Sequence, residues 1–221
     1  MIRQLAFDLP GRAAMTRDDF FVSPSNALAL QAVDGWRDWP GRKLLLVGPE
    51  GAGKTHLAQI WATSVDAVIL AADGLADAGL EHLEGRAVVV EDVDRIGAGE
   101  AALFHLHNMA TGSGALLMTA RTPPRDWGLV LPDLISRMQS TQIAHLEAPD
   151  DALLSAVLVK LFADRQVVVP PNLIPYLISR MPRSVGAARG LVSALDARAL
   201  AAGRPITRAL AGEVLDSVAP E

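Results

Sequence analysis

The chain has 221 residues, of which 50% are apolar, 20% are charged and 5% are aromatic, and its formal net charge is -5. This composition is typical of a folded globular protein and excludes disordered and collagen-like chains; the acidic balance gives no reason to expect strong non-specific DNA binding. Cysteine is absent, which excludes disulfides, thiol catalysis and thiolate metal sites. No apolar run approaches the length of a membrane span and the N-terminus lacks the apolar region of a signal peptide, so we expect a cytoplasmic protein with no membrane partner.

Short apolar runs alternate with longer amphipathic segments through the first 150 residues. The runs predict buried strands, at residues 43–47, 65–70, 87–90, 115–119 and 142–146. The first of them ends in a glycine–proline turn, and the helix predicted after that turn covers residues 53–64. This alternation is typical of βαβ units. It predicts an α/β core with a parallel five-stranded sheet.

After residue 150 the apolar residues recur at spacings of three and four, which predicts helices. The predicted helices are residues 153–162, 173–181, 185–202 and 209–218, separated by proline- and glycine-containing breaks. We therefore divide the chain into an N-terminal extended segment (residues 1–17), an α/β core (residues 18–148) and a small all-helical lobe (residues 149–221).

The strongest motif follows the first predicted strand. It reads Gly48-Pro49-Glu50-Gly51-Ala52-Gly53-Lys54-Thr55, a complete G-x-x-x-x-G-K-T phosphate loop between a strand and a helix. Glycines let successive backbone N–H groups face a phosphate, and the new helix adds its positive N-terminus. Lys54 is expected to neutralise the β- and γ-phosphates, and the Thr55 hydroxyl to bind Mg²⁺. His56 is placed in the same site as a residue that packs or caps there.

Acidic residues follow the third predicted strand, at Glu91, Asp92 and Asp94. This segment resembles a Walker B motif, in which one acid holds Mg²⁺ and the next polarises the attacking water. The order Glu91-Asp92 inverts the usual Asp-Glu order. We therefore assign both acids to the metal and to catalysis without separating the two roles.

With these motifs in place, the chain resembles the AAA+ module of the DnaA replication-initiator family over nearly its full length, and within it the Hda-type regulatory inactivators. Three further segments carry the likeness, namely Asp18–Asn26, Thr119–Pro124 and the "LPDLxSRL"-like Leu131–Met138. The resemblance implies that Phe21 and Val22 approach an adenine, so that ADP or ATP with Mg²⁺ is the expected ligand. It also implies that Arg137 is an arginine finger delivered to the ATP of a neighbouring subunit.

The resemblance further implies a role in negative regulation of replication initiation, with a DnaA-type initiator as partner. Near the N-terminus, Gln4, Leu5, Phe7 and Leu9 resemble the short peptide that binds the DNA polymerase sliding clamp, which would associate the chain with the replisome. The sequence ends at Glu221, soon after the last predicted helix. We therefore expect no helix-turn-helix domain and no sequence-specific binding of duplex DNA by the chain itself.

Two positions depart from the family pattern. Gly186 stands where the family has its sensor-2 arginine, with Arg183 and Arg189 three residues to either side, and Arg121 stands where an acid is common. Both departures favour nucleotide binding over autonomous hydrolysis. Two alternatives stay open: a self-contained ATPase such as a helicase loader, acting as a homo-oligomer, and a non-hydrolysing adaptor tethered to the clamp.

Overall fold

A computed structural model describes residue 17, residues 20–110 and residues 114–218. Its strands are β1 (Lys43–Val47), β2 (Val68–Ala71), β3 (Ala87–Glu91), β4 (Ala115–Ala120) and β5 (Ile143–His145). Its α-helices are α1 (Ala27–Asp34), α2 (Lys54–Val65), α3 (Glu100–Met109), α4 (Pro132–Ser140), α5 (Asp151–Asp164), α6 (Leu173–Ile178), α7 (Val185–Ala202) and α8 (Arg208–Val218).

The five strands form one sheet in the order β2-β3-β4-β1-β5, and every neighbouring pair is parallel. The predicted parallel five-stranded sheet is therefore confirmed. Because β4 lies between β1 and β3, the loops that follow these three strands emerge side by side at one edge of the sheet. The phosphate loop and the acidic segment consequently lie close together.

Alternate residues of each strand enter two separate cores, as the two-residue period of a strand requires. Leu45 and Val47 pack with α3 and α4 on one face, whereas Leu44 and Leu46 pack with α1 and α2 on the other. All five residues of β1 are buried. This three-layer arrangement explains why the strand sequence is a continuous apolar run rather than an alternating one.

The four lobe helices bury a third core of their own, built around the side chains of Leu158, Phe162, Leu177, Val192 and Leu210. Asp150 caps the N-terminus of α5, where its carboxylate accepts a 2.7 Å hydrogen bond from the amide of Leu153. This bond lowers the pKa of Asp150, as expected for an N-terminal capping carboxylate.

Most element boundaries lie within two residues of the predicted ones, and two differ by three residues. Strand β2 begins at Val68 rather than at residue 65, because α2 continues to Val65 and ends at Asp66, which has left-handed backbone angles. Helix α6 ends at Ile178 rather than at residue 181, since a turn precedes Pro182. Across the parts of the chain that the structure describes, no helix has the length and apolar character needed to cross a bilayer.

Candidate functional site

The phosphate loop connects β1 to α2 and is shaped by two glycines in left-handed conformations, Gly51 (φ 76°) and Gly53 (φ 101°). Positive φ angles of this kind favour glycine. Lys54 begins the helix and is largely buried, and its Nζ donates hydrogen bonds to the carbonyls of Gly48 (2.7 Å) and Pro49 (2.9 Å). The ammonium group is therefore held inside the loop, at the place where the motif predicts phosphate.

Burial lowers the pKa of Lys54, and the nearby Arg121 lowers it further, while the carboxylates of Asp92, Asp94 and Glu50 act in the opposite direction. An anion bound beside Lys54 would favour its charged form in the same way as these carboxylates. A phosphate bound in the loop would therefore stabilise the charged form of Lys54.

The helical lobe contacts the phosphate loop directly. The amide of Val185, the first residue of α7, donates to the carbonyl of Gly51 at 3.2 Å. A Cβ atom placed on Gly51 would overlap the side chain of Ser184. Glycine at position 51 is therefore required both by its φ angle and by the close approach of the lobe.

We expect Gly51→Ala to reduce the free energy of unfolding by about 1–3 kcal/mol, because it adds a steric overlap to an unfavourable φ angle. Chemical denaturation measures the loss. Gly190→Ala is the matched control, since Gly190 lies within α7 and a Cβ there meets nothing within 4 Å; it should not destabilise the protein. Equal stability of Gly51→Ala and the wild-type chain would contradict the contact.

A cavity of about 510 Å³ lies between the loop and the lobe, a volume typical of small-molecule sites. The core contributes the aromatic segment, the phosphate loop and the two strand ends, through Phe20, Phe21, Asn26, Glu50, Gly51, Ala52, Gly53, Lys54, Thr55, His56, Asp92 and Arg121. The lobe contributes residues of α5 and α7, namely Leu153, Val157, Lys160, Leu161, Asp164, Val185, Gly186 and Arg189. Of the predicted loop residues, Gly48 and Pro49 bind Lys54 rather than line the cavity.

The aromatic side of the cavity is fixed by the buried Asn26. Its side chain accepts from the amide of Ser23 and donates to the carbonyl of Phe21, both at 2.9 Å. Of the two residues predicted to approach an adenine, Phe21 lines the cavity, whereas Val22 does not and is 57% exposed. Phe20 lines the cavity in its place and meets His56 edge to face, with ring centroids 5.3 Å apart.

The two acids after β3 have different surroundings. Glu91 ends the strand and its Oε2 accepts from the hydroxyl of Thr55 at 3.3 Å, while burial raises the pKa of Glu91. Asp92 has left-handed backbone angles, its amide donates to Thr119 Oγ1 at 3.0 Å, and it lines the cavity. The geometry thus separates a carboxylate beside Thr55 from a carboxylate in the cavity.

Mg²⁺ fits this donor set, because it prefers oxygen ligands and usually combines one or two carboxylates with water and substrate phosphates. Thr55 and Glu91 already lie in contact and supply a hydroxyl and a carboxylate. Within the described ranges, no cluster of three or more His, Asp or Glu side chains offers an all-protein metal site. A nucleotide would therefore have to bring part of the coordination.

The two lobe arginines on either side of Gly186 have different surroundings. Arg183 is engaged elsewhere, since its Nε donates to the carbonyl of Pro149 at 3.0 Å and its Nη2 pairs with Asp151 at 2.7 Å. Arg189 lies in α7 about one turn beyond Gly186, and both residues line the cavity. Of the two arginines that flank Gly186, only Arg189 is placed to meet a ligand.

Sequence reasoning missed the wall that α5 contributes. Leu154, Leu158 and Phe162 are buried in the lobe core. Leu153, Val157 and Leu161 line the cavity, and the last two also pack against the edge of that core. Each set repeats every four residues, so the helix carries two apolar stripes. The apolar face of α5 is wider than packing against one core requires, and this feature of the sequence could have indicated the cavity wall.

Arg137 is not among the residues that line this cavity. It is exposed in the last turn of α4, and its carbonyl accepts from Thr141, just before β5. Its charge acts on Lys43, whose pKa is lowered by burial and then by Arg137. Thr141 precedes the start of β5, which runs parallel to β1, whereas the phosphate loop follows the end of β1, so the backbone of Arg137 and the loop lie at opposite ends of the sheet.

His107 lies buried beneath the same region, with its Nε2 3.4 Å from Thr141 Oγ1. Burial, with the positive charges of Lys43 and Arg137, lowers its pKa to about 4. Above pH 6.5 the histidine is neutral in both the folded and the unfolded chain. As the pH falls from 6.5 towards 4, the unfolded chain takes up the proton first, so stability is lost in this window.

We therefore expect His107→Gln to lose about 2 kcal/mol less unfolding free energy than the wild-type chain between pH 7 and pH 4.5. Urea denaturation over this pH range measures the difference. His105→Gln is the matched control, because His105 is exposed two residues earlier in α3 and should leave the pH dependence unchanged. Identical pH dependence of His107→Gln and the wild-type chain would show that His107 does not cause it.

The predicted clamp-binding residues Gln4, Leu5, Phe7 and Leu9 lie outside the described residues, as do Asp18 and Asp19. The clamp contact therefore stays a prediction from sequence. The described site consists of the cavity and, at the opposite end of the sheet, Arg137.

No protein-family model matches the sequence. The chain is 24% identical over 231 residues to the chromosomal replication initiator protein DnaA of Thermomicrobium roseum, an alignment that covers 90% of this chain and 49% of that protein. The chain thus spans about half the length of this relative.

Solved structures identify the fold. Domain III of the Thermotoga maritima replication initiation protein DnaA superposes with a TM-score of 0.76 at 21% identity, covering 92% of this chain and 96% of that one. AMPPCP-bound DnaA from Aquifex aeolicus gives a TM-score of 0.66 at 18% identity, covering 82% and 65%. The predicted fold, an α/β core with a parallel five-stranded sheet and a helical lobe, is confirmed, and it is the fold of DnaA domain III.

Proposed function

We propose that this chain is an adenine-nucleotide-binding AAA+ regulator of replication initiation of the Hda type. Together with the sliding clamp, it promotes hydrolysis of the ATP bound to a DnaA-type initiator. Arg137 supplies the positive charge that accelerates this hydrolysis in the partner. The chain's own nucleotide, ADP or ATP with Mg²⁺, serves binding and architecture more than turnover.

The cavity supports the nucleotide part of the proposal. A phosphate loop, a cationic Lys54 and an aromatic wall at Phe20 and Phe21 meet around one space of about 510 Å³. The loop offers N–H groups and a helix N-terminus to phosphates, and the rings offer a surface for a base. A DnaA structure with the same fold was solved with AMPPCP bound.

The Glu91–Thr55 contact supports a Mg²⁺ ion bound with the nucleotide. Bound there, Mg²⁺ would neutralise charge on the β- and γ-phosphates. Glu91 and Thr55 would hold the ion from the protein side, while Asp92, which lines the cavity, would orient water. We thereby assign metal binding to Glu91 and water orientation to Asp92, two roles that the order of these residues in the sequence did not separate.

The position of Arg137 is the observation that supports its proposed action on a nucleotide bound to the partner protein. Arg137 is exposed, does not line the cavity, and lies at the end of the sheet opposite the phosphate loop, so we expect it to make no contact with a nucleotide in the chain's own cavity. A planar, multi-donor cation is suited to a phosphoryl group that develops charge. A nucleotide on a second protein is the site that it can serve.

Hydrolysis of initiator-bound, labelled ATP in the presence of DNA-loaded clamp tests the proposal. We expect the wild-type chain to accelerate hydrolysis, and to do so only with the clamp present. No acceleration would overturn the regulator role. ATP turnover by the chain alone that rises with its concentration would instead support a homo-oligomeric ATPase.

A further inference from the structure

Arg121 occupies a central place at the phosphate-binding edge of the sheet. It directly follows β4, the strand between β1 with its phosphate loop and β3 with its acids. Its side chain lines the cavity together with Lys54 and Asp92. A nucleotide phosphate held by the loop would therefore lie next to the guanidinium.

The guanidinium of Arg121 is bound to a residue of the phosphate loop itself. Its Nη1 lies 2.8 Å from Oε2 of Glu50, and the two side chains are 35% and 75% exposed. A carboxylate and a phosphate oxygen present the same chemistry to a guanidinium. Because exposed ion pairs contribute little stability, a more highly charged anion in the cavity can displace Glu50 from Arg121.

Lys54 is the second cation at this place, and it is held by the loop carbonyls of Gly48 and Pro49. The charge of Arg121 contributes to the lowered pKa of Lys54, so the two cations repel each other until an anion lies between them. Arginine offers five donors and no acceptor. Arg121 is thus suited to hold a phosphate and unsuited to take a proton from water.

We propose that Arg121 binds the terminal phosphate of a nucleoside triphosphate, and that Glu50 holds the guanidinium when this phosphate is absent. The inference rests on the proposed nucleotide binding. Glu50 then competes with the terminal phosphate for one cation, and a nucleoside diphosphate leaves the ion pair intact. The Glu50–Arg121 pair therefore sets how strongly the cavity prefers one nucleotide over the other.

Calorimetric titration of the full chain with ADP and with AMPPCP, each with Mg²⁺, tests this inference. We expect Arg121→Gln to weaken AMPPCP binding by about tenfold or more, since a hydrogen bond to a charged group is lost, and to change ADP binding much less. Glu50→Gln should tighten AMPPCP binding by about two- to fivefold, the loss of a weak competing ion pair. The double variant should bind AMPPCP as Arg121→Gln does, without the gain.

Arg125→Gln is the matched control, because Arg125 follows closely in sequence but is exposed and does not line the cavity. If Arg121→Gln binds AMPPCP as tightly as the wild-type chain does, or loses affinity for ADP and AMPPCP equally, the inference about Arg121 is overturned. The proposed nucleotide binding would still stand. A gain from Glu50→Gln that persists without Arg121 would overturn the competition. A wild-type chain that binds neither nucleotide would overturn the proposed function as well.

Discussion

Replacing Arg137 with alanine is expected to reduce the stimulated hydrolysis of initiator-bound ATP by about 10³-fold or more, because arginine fingers contribute 10³–10⁵ in phosphoryl transfer. Nucleotide binding by the chain itself should stay unchanged, since Arg137 does not line the cavity. Its stability should also be retained, because the guanidinium is exposed and its charge is unfavourable for Lys43. Single-turnover hydrolysis with DNA-loaded clamp measures the rate.

Two further variants separate the finger from a general loss of charge. Arg137→Lys keeps the charge but not the planar donor fork, and should recover only a small part of the rate. Arg125→Ala removes an exposed arginine of the segment that precedes α4 and should leave the stimulation unchanged. Full stimulation by Arg137→Ala would exclude the trans-acting mechanism and favour an adaptor that only tethers its partners.

Replacing Lys54 with alanine is expected to weaken binding of ADP and AMPPCP by about 10- to 100-fold, the range for a lost hydrogen bond to a charged group. Lys54 is the cation that the phosphate loop encloses, so both nucleotides should be affected. Titration calorimetry measures the affinities. The rise in Tm that a ligand causes should shrink in parallel, because that rise depends on affinity.

The control for this experiment is Arg204→Ala. Arg204 pairs with Glu213 on the lobe, both side chains are about half exposed, and it does not line the cavity. This variant should bind both nucleotides as the wild-type chain does. Wild-type affinity in Lys54→Ala would remove the loop from the proposed site and with it the nucleotide-binding part of the function.

The sequence predicted the sheet, the lobe and the position of the phosphate loop because each depends on local patterns. Strand β1 is buried on both faces and therefore reads as an uninterrupted apolar run. Its turn into α2 needs glycines where φ is positive, at Gly51 and Gly53. Such requirements leave a readable trace within a few residues.

Contacts between distant segments left no such trace. Nothing within the sequence near Arg121 indicates that it pairs with Glu50, 71 residues earlier, because the pair depends on β4 lying beside β1. Phe20 lines the cavity where Val22 was expected, and this depends on the hydrogen bond by which Asn26 fixes the backbone at Phe21. These features follow from tertiary structure, which a local pattern does not encode.

The hydrogen bond between the amide of Val185 and the carbonyl of Gly51 joins the phosphate loop to the first turn of a lobe helix. Any motion that separates the lobe from the loop must break this bond and expose the Val185 amide to solvent. Hydrogen exchange at that one amide therefore reports the opening free energy of the lobe. We expect this amide to exchange more slowly with AMPPCP than without it. The ratio of the two exchange rates would give the free energy by which the nucleotide stabilises the closed position of the lobe.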